Sequence, residues 1–337
     1  MITPTNWLPL ITLASTTVRA AWSTIPVFYP INTTTVEMGN KSVYEDAWMG
    51  RMPKMRLWSG PRVYQEPAPQ TYTATPEPFE ITYTLDRFRY DDDSFGVFYP
   101  LLLDLAEQTK KWPDYQRRDL LEATGAWSST SDQAGLDGLS FFNTAHLCNI
   151  YSSAAANLNT GTSYCNDFTG GGVTINSATV GGAFSYTALL TLIEYMSTIR
   201  AEDGERLHVT PTHLEHPSAL RGEVEAALRN TLAANSVGYA SWGATQTQVG
   251  ATENVVARMG IMPLENKDLA SFTKWYLQDN SKAIKSMRWL LREAPAITPR
   301  VSEDDPRVFD FHQYTWGGWA RGAPIWSPSW LMARSGP

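Results

Sequence analysis

Three histidines and a glutamate form the densest group of possible metal ligands in this sequence: His208, His213, Glu215 and His216. Imidazole and carboxylate groups are common zinc ligands. The familiar helical zinc motif needs two histidines four residues apart on one helix face, whereas these residues fall in a predicted strand, 206–214, and the connection after it. The spacing favours surface histidines, and a metallohydrolase stays open as an alternative that a zinc assay would reveal.

Three consecutive acids, Asp91, Asp92 and Asp93, are a second group with possible chemistry. Hard cations take six or more oxygen ligands, and this run supplies three side chains without a suitably placed glycine. A helix that begins at Asp93 or Ser94 explains the acids more simply, because such side chains accept backbone N–H bonds and complement the helix dipole. We predict no metal and no cofactor.

The sequence lacks the short motifs of common enzyme classes. It has no Gly-x-Ser-x-Gly elbow, no Gly-x-x-x-x-Gly-Lys phosphate loop and no Gly-x-Gly-x-x-Gly at a strand-to-helix joint. We therefore predict no catalytic residues and a protein that is not an enzyme.

A basic cluster interleaved with aromatic residues is the strongest candidate for binding. Its members are Trp48, Arg51, Lys54, Arg56, Trp58, Arg62 and Tyr64. Single-stranded nucleic acid stacks on aromatic residues in basic grooves, and subunit interfaces are also enriched in Trp, Tyr, Met and Arg. The net charge of −7 favours the subunit contact, since nucleic-acid readers usually carry a basic stripe; a single-strand-binding protein remains an alternative.

This cluster opens a long extended segment, 48–90, that ends in an alternating strand. Phe79, Ile81, Tyr83 and Leu85 lie on one side of that strand. A two-stranded ribbon is marginal in water, because ordering the backbone costs about 1–2 kcal/mol per residue. We therefore expect another copy of the chain to cover it. The predicted assembly interface comprises Trp48, Arg51, Lys54, Arg56, Trp58, Arg62, Tyr64, Phe79, Ile81, Tyr83 and Leu85.

Hydrophobic periodicity predicts the elements that position these residues. The predicted helices are 4–21, one from Asp93 or Ser94 that is interrupted at Pro113, 113–124 with Gly125 as its stop, 185–200 and 218–233. The predicted strands are 206–214, 255–262, 274–277, 286–293 and 307–316. The segment 126–182 is predicted to be mostly loop, with a short strand or turn at 139–146.

Composition bounds the class of protein. The 337 residues correspond to about two domains, and a chain that is 43% apolar, 18% charged and holds 13 Trp suits extensive burial. The N-terminus lacks the pattern of a signal peptide, and no apolar run is long enough for a membrane helix, so we predict a soluble protein made inside the cell. Cys148 and Cys165 define neither a metal site nor a disulfide framework.

Several motifs together resemble the major head (capsid) proteins of Mu-like tailed phages. The clearest one places Trp48, Met49, Gly50, Pro53, Met55, Arg56, Trp58, Gly60 and Arg62 in one segment. Further matches are Ile2-Thr3-Pro4, Phe79-Glu80 through Arg87, Asp91-Asp92-Asp93 with Gly96, Phe98 and Pro100, Phe141-Phe142-Asn143-Thr144-Ala145-His146, and Trp275-Tyr276-Leu277. The loop 150–182 and the tail after Val308 match poorly.

The resemblance implies an α+β fold of the Hong Kong 97 type. The implied parts are an N-terminal arm, 1–47, an extended β-hairpin loop, 48–90, a peripheral domain with a spine helix, 91–180 and 266–337, and an axial α/β domain, 181–265.

The function implied by the resemblance is that of a major capsid protein of the virion, without a cofactor. It would self-assemble in the host cytoplasm into hexamers and pentamers of an icosahedral head. Implied partners are other copies of the chain, cement, portal and scaffolding proteins, and weakly contacted double-stranded DNA, with no membrane. Another head component, a minor head or cement protein, is the alternative.

Overall fold

The computed structural model describes residues 22–48, 55, 57–61, 70–92, 98–127, 134–135, 137–147, 163–175, 178–201, 205–241, 244–302 and 304–337. The described helices are α1 (Tyr29–Asn32), α2 (Arg87–Asp91), α3 (Phe98–Glu122), α4 (Tyr186–Thr198), α5 (Arg221–Arg229) and α6 (Pro306–Phe311). The predicted helix 4–21 and the predicted cap at Asp93 or Ser94 lie outside the described residues.

The described strands fall early, in the middle and late in the chain. The early strands are β1 (Thr33–Glu37), β2 (Tyr44–Trp48), β3 (Gln70–Ala74), β4 (Glu77–Asp86), β5 (His146–Leu147), β6 (Ser163–Tyr164), β7 (Asp167–Phe168), β8 (Val173–Ile175) and β9 (Ala178–Val180). The later strands are β10 (His213–His216), β11 (Leu232–Ser241), β12 (Ala244–Glu253), β13 (Met262–Glu265), β14 (Trp275–Gln278), β15 (Met287–Arg300), β16 (Gln313–Trp326) and β17 (Met332–Ser335).

The chain divides into two compact units. Unit 1 comprises Met1–Glu45, Thr73–Leu120 and Trp289–Ile325, and unit 2 comprises Asp46–Tyr72, Leu121–Arg288 and Trp326–Pro337.

Unit 1 is built on a four-stranded sheet in the order β1–β15–β16–β4. Helix α3 packs on it through residues spaced three or four apart, among them Leu102, Leu105 and Trp112, each of which is buried. Such spacing puts apolar side chains on one helix face. The helix also holds the entry to α1, because the Asp114 carboxylate accepts the backbone N–H of Tyr29 at 2.6 Å.

Helix α3 corrects the prediction that Pro113 starts a new helix. Pro113 lies inside a single helix of 25 residues, although proline in a helix interior removes one hydrogen bond and crowds the preceding turn. Buried residues continue on both sides of it, with Trp112 before and Leu120 and Leu121 after. Packing along the whole length therefore outweighs the local cost.

Unit 2 is built on a five-stranded mixed sheet in the order β13–β10–β14–β17–β7. Strand β14 lies at its centre, and all four of its residues are buried. Helices α4 and α5 contribute Leu192 and Val224 to the same core. This sheet joins β14 and β17 to β10, although the sequence analysis placed the first two in the peripheral domain and the third in the axial domain; the four-part domain division otherwise stays a prediction.

Helix α4 and strands β14 and β15 confirm their predictions, and the predicted helix 218–233 is confirmed over α5. Two strand predictions in unit 2 were wrong. The strand expected at 206–214 begins only at His213, because His208 takes a left-handed backbone with a φ of 51° that breaks extended chain. The strand expected at 255–262 is instead a 3₁₀ turn, Val256–Arg258, followed by β13.

The strand expected at 307–316 was also wrong in its first half. Helix α6 occupies Pro306–Phe311, with the Asp305 side chain accepting the Arg307 N–H at 2.9 Å. An Asp cap followed by Pro at the first helical position is a helix-start signal, and alternating apolar residues concealed it. Strand β16 follows from Gln313 and is longer than predicted.

Candidate assembly interface

The loop that carries the basic–aromatic cluster is closed at its base by a hairpin. Strand β2 pairs with β3, so the chain between Trp48 and Gln70 forms the loop. The extended loop 48–90 stays a prediction as a domain, and within it β4 pairs with β16 over ten residues, from Glu77 opposite Gly322 to Asp86 opposite Gln313. A strand bound that way belongs to a sheet and is not part of a free ribbon.

The described part of this loop presents large apolar side chains to solvent. Met55 is fully exposed, Leu57 is 90% exposed and Trp58 is 75% exposed. The indole Nε1 of Trp58 donates to the Gly60 carbonyl oxygen at 2.6 Å, which holds the ring beside a glycine with a φ of 88°. Neighbouring exposed apolar side chains commonly mark binding surfaces, and here three occur within four positions.

The remaining loop residues of the predicted interface cannot be placed in the same way. Arg51, Lys54, Arg56, Arg62 and Tyr64 lie outside the described residues. Trp48 ends β2, where the structure describes its backbone alone. Their role in assembly stays a prediction.

The predicted face of β4 is largely covered by unit 1 itself. Phe79 packs with its ring centroid 5.2 Å from that of Trp112, Leu85 is only 5% exposed, and Tyr83 packs against the cluster around Leu85. Helix α3 of the same chain covers Leu85, while Phe79 and Tyr83 are only partly buried, so cover of this face by another copy stays a prediction. Ile81 remains 38% exposed.

Strand β4 nevertheless leaves a surface at its outer edge. It is an end strand of its sheet, so its outward backbone groups have no strand partner among the described residues. A groove of about 170 Å³ lies between α3 and the sheet, lined by Phe79 and Ile81 of β4, Trp319 of β16, and Trp112 and Tyr115 of α3, with others. Trp319 is 46% exposed. The edge also carries Glu77 and Glu80, both exposed, so it combines an apolar groove with negative charge.

The motif at 139–146 belongs to a buried network of hydrogen bonds. The sequence analysis did not predict that this motif stabilises the structure. His146 is fully buried, and its Nδ1 lies 2.6 Å from the Asp137 carboxylate. Asn166 donates to the Phe141 carbonyl oxygen at 2.7 Å and accepts the Asn143 N–H at 2.8 Å. Buried polar groups need such partners. These hydrogen bonds of the motif therefore hold a loop in place within unit 2.

The same motif supplies aromatic anchors. Phe141 stacks on Trp326 with centroids 3.8 Å apart, and the Arg334 guanidinium lies 4.4 Å from the Phe142 ring centre. Arg334 also pairs with Asp167 at 2.6 Å. Burial raises the pKa of the Asp167 carboxyl, but the hydrogen bond and charge of Arg334 outweigh it and leave that pKa below its usual value.

The side chains of His213, Glu215 and His216 form hydrogen bonds to neighbouring protein groups. Both Glu215 carboxylate oxygens accept amide hydrogens, from Asn266 at 2.7 Å and Gln278 at 2.9 Å. The Nδ1 atom of His213 bonds the Thr212 hydroxyl at 2.8 Å, and that of His216 lies 2.9 Å from a backbone carbonyl oxygen. Over the ranges that the structure describes, no three His, Cys, Asp or Glu residues are grouped to hold a metal ion.

Burial and charge also affect His213 and Cys165. Burial, followed by the nearby positive charge of Lys285, lowers the pKa of His213. Burial raises the pKa of the Cys165 thiol to about 12, and Cys165 is a free, buried cysteine. Cys148 lies outside the described residues. None of the described helices is long and apolar enough to cross a membrane.

Comparison with known protein families identifies the family of this chain. The family model of the Mu-like prophage major head subunit gpT matches residues 10–174 and 257–334, which is more than half of the chain. The chain belongs to this family. The matched stretches contain the motif segments 48–62, 79–100 and 139–146, and they extend through the tail after Val308, where the resemblance was expected to fail.

A curated relative agrees with membership of the gpT family. The chain is 26% identical over 99 residues to the major capsid protein of Escherichia phage Mu, which is 29% of this chain and 30% of that protein. The aligned region therefore spans less than a third of that relative.

Solved phage capsid structures share the fold of this gpT family member. A chain of the procapsid of bacteriophage JBD30 is similar over 99% of this chain and 76% of its own length, with a TM-score of 0.51 and 21% identity. A chain of the mature capsid of bacteriophage PhiM1 gives a TM-score of 0.51 and 11% identity, over 92% and 86%. A chain from Mycobacterium phage Adephagia gives 0.50 and 12%, over 90% and 88%. The predicted α+β phage capsid fold of the Hong Kong 97 type is confirmed.

Proposed function

We propose that the protein is a major capsid subunit whose copies form the hexamers and pentamers of an icosahedral tailed-phage head around double-stranded DNA. The observation that carries the proposal is the exposure of Leu57 and Trp58 on a loop in a chain of the major head subunit family. Burying a large apolar side chain is worth about 1.5–3 kcal/mol. Burial of these side chains against another copy would therefore contribute a substantial free energy to assembly. The role is structural, and no catalytic step is assigned to it.

The contact site of the loop is the groove beside β4 of a neighbouring copy. That groove presents Phe79, Ile81 and Trp319, which suit apolar side chains. Its edge carries Glu77 and Glu80, while the loop carries basic residues from Arg51 to Arg62 with no acid among them. Opposite charges steer association and set the register of a contact, so one face of the chain complements the other.

The loop also contains a glycine, Gly60, at which its backbone could bend to slightly different positions. Gly60 takes a φ of 88°, and an added Cβ atom would meet no atom within 4 Å. A positive φ is easily adopted by glycine alone. In pentamers and hexamers, identical subunits meet their neighbours at different angles. Gly60 allows the loop to adjust its direction to each angle.

A charge-exchange experiment tests this contact. Arg51→Glu with Arg56→Glu reverses the loop, and Glu77→Lys with Glu80→Lys reverses the edge. Each pair alone should abolish shells seen by electron microscopy, and all four together should restore them. Glu194→Lys, at an exposed position of α4 outside the loop and the β4 edge, is a single-charge control. Assembly by every variant, or no rescue in the combined one, contradicts the assigned contact.

The remaining partners follow from the charge and family. Net charge of −7 suits a shell that contacts packaged DNA weakly and without sequence preference, in the virion after assembly in the host cytoplasm. Portal, cement and scaffolding proteins are further proposed partners. Phosphate contacts make DNA binding fall steeply with rising salt. Such a steep loss of DNA binding by assembled shells would contradict the proposal that the shell contacts DNA only weakly. A copy number of a few per particle would indicate a minor head protein instead.

A further inference from the structure

Unit 2 contains a long hairpin, which we call the ribbon, formed by β11 and β12. Ten residue pairs lie in register, from Leu232 opposite Glu253 to Ser241 opposite Ala244. Among the described residues the two strands form a sheet only with each other, so each has an outer edge without a strand partner. The sequence analysis missed both strands, and the family match stops at residue 174 and resumes at 257, so the ribbon lies outside it.

The base of the ribbon is firmly held. Asn254 is buried, and its side-chain amide donates to the carbonyl oxygens of Ala227 and Asn230, each at 2.8 Å. Its backbone N–H donates to the Thr231 carbonyl oxygen at 3.0 Å, and its side-chain oxygen accepts the Ala257 N–H at 3.1 Å. These bonds fix the start of the ribbon to α5, so the ribbon has a defined root.

The sequence of the ribbon lacks the usual protection of open strand edges. Residues 232–252 contain no Asp, Glu, Lys, Arg or Pro, in a chain of which 18% is charged. Proteins normally guard exposed edges with charges, especially Lys, or with Pro. A two-stranded hairpin in water is marginally stable by itself. A ribbon that is uncharged over 232–252, with Glu253 at its root and two open edges, is therefore suited to being covered by another strand on each side.

A second copy of the same ribbon is the partner that fits. Copies of this chain each carry a net charge of −7, and an uncharged segment is where they can meet without local repulsion. A nucleic acid or a strongly charged protein would find no complementary charge there. Because β11 and β12 are antiparallel, β11 of one copy can extend the sheet of the next through its β12. A closed ring of ribbons leaves no open edge.

We propose that the ribbons of neighbouring copies pair edge to edge, β11 of one copy against β12 of the next. The number of copies, five or six, rests on the proposed function. Neighbouring strands lie about 4.8 Å apart, and each ribbon is two strands wide. Equivalent residues on adjacent copies therefore repeat about every 10 Å, which is a spacing that a short cross-linker can test.

The test is cysteine cross-linking within assembled particles of the full chain. All variants carry Cys148→Ser, and the native Cys165 is buried with a pKa raised to about 12, so it reacts little. Gln248→Cys places a thiol on β12, and Ser236→Cys places one on β11. Thr179→Cys, on an exposed position of the hairpin β8–β9, is the matched control. A bis-maleimide whose reach matches the ribbon spacing is added to particles and to unassembled subunits.

The expected result is covalent dimer from both ribbon variants in particles, at least several-fold above the Thr179→Cys control, and none in unassembled subunits. Either ribbon variant suffices if the other fails to fold by circular dichroism. Particles of normal appearance that give no dimer at either ribbon position would overturn the ribbon contact and leave the proposed function standing. Failure of the unsubstituted chain to form any particle, alone or with other head proteins, would instead count against the proposed function.

Discussion

Replacing Leu57 and Trp58 by serine should separate assembly from folding. Both side chains are mostly in solvent within one chain, at 90% and 75% exposure. Fully burying one such side chain contributes about 1.5–3 kcal/mol, so little of this is already used in folding. The surface hydrogen bond from the Trp58 indole to Gly60 is lost, which costs about 0.5–1.5 kcal/mol at most. The folded chain should remain close to the original in stability.

The same change should weaken every loop contact between copies. Most of the burial free energy of both side chains is available for assembly, about 4 kcal/mol for the pair. Since about 1.4 kcal/mol is a tenfold change in an equilibrium constant, each contact weakens on the order of a thousandfold. The concentration at which shells first appear should rise steeply.

Two measurements on one preparation provide the assay. Guanidinium denaturation of the unassembled chain gives the free energy of unfolding, and light scattering against concentration gives the onset of assembly. Trp112→Ala is the contrasting variant, because Trp112 is buried between Phe79 and Trp289 and its loss should cost about 3–5 kcal/mol of folding stability. An unchanged onset of assembly for the serine variant would refute the argument, as would a large loss of folding stability.

Two further predictions concern the units themselves. Gly322→Ala should destabilise unit 1 by about 1–3 kcal/mol, because the new Cβ would lie 2.6 Å from the Leu290 carbonyl oxygen; Gly317→Ala, whose nearest contact is 4.0 Å away, should be close to neutral, and equal melting temperatures would contradict this. Asp167→Asn should cost about 1.5–3 kcal/mol at pH 7 through the lost charged hydrogen bond to Arg334. The folded-state pKa of Asp167 is lowered, so its contribution is present above the unfolded pKa of about 3.9 and is lost as pH falls through the folded pKa. Denaturation across pH 2–7 should therefore show the two proteins converging in acid, and a constant difference would disprove the linkage.

Much of the regular structure was predictable from local patterns. Strand β4 alternates over the eight residues 79–86, and helix α4 repeats its apolar residues with the period of a helix, so both were found where expected. Helix α3 was predicted as two helices, since a local rule about proline cannot weigh the burial of Trp112 and Leu120 on either side of Pro113. Packing between distant segments decided that element.

The second layer for β4 and the ribbon show the limits of local patterns in different ways. Nothing in the alternation of Phe79, Tyr83 and Leu85 distinguishes cover by α3 from cover by another copy, because the pattern reports burial without naming the partner. The ribbon is rich in Ala, Ser, Thr, Gln and Gly, which are weak markers of strands. The absence of charge over the 21 residues 232–252 is the signal that the sequence offers, and hydrophobic periodicity does not detect it.

The loop between β2 and β3 is proposed to bury its exposed apolar side chains against another copy of the chain. A cryo-electron microscopy map of particles assembled from this protein tests it most directly. We expect closed shells in which Met55, Leu57 and Trp58 of one copy are covered by the groove beside β4 of its neighbour. Shells in which these three side chains stay in solvent, or fold back onto their own subunit, would contradict it.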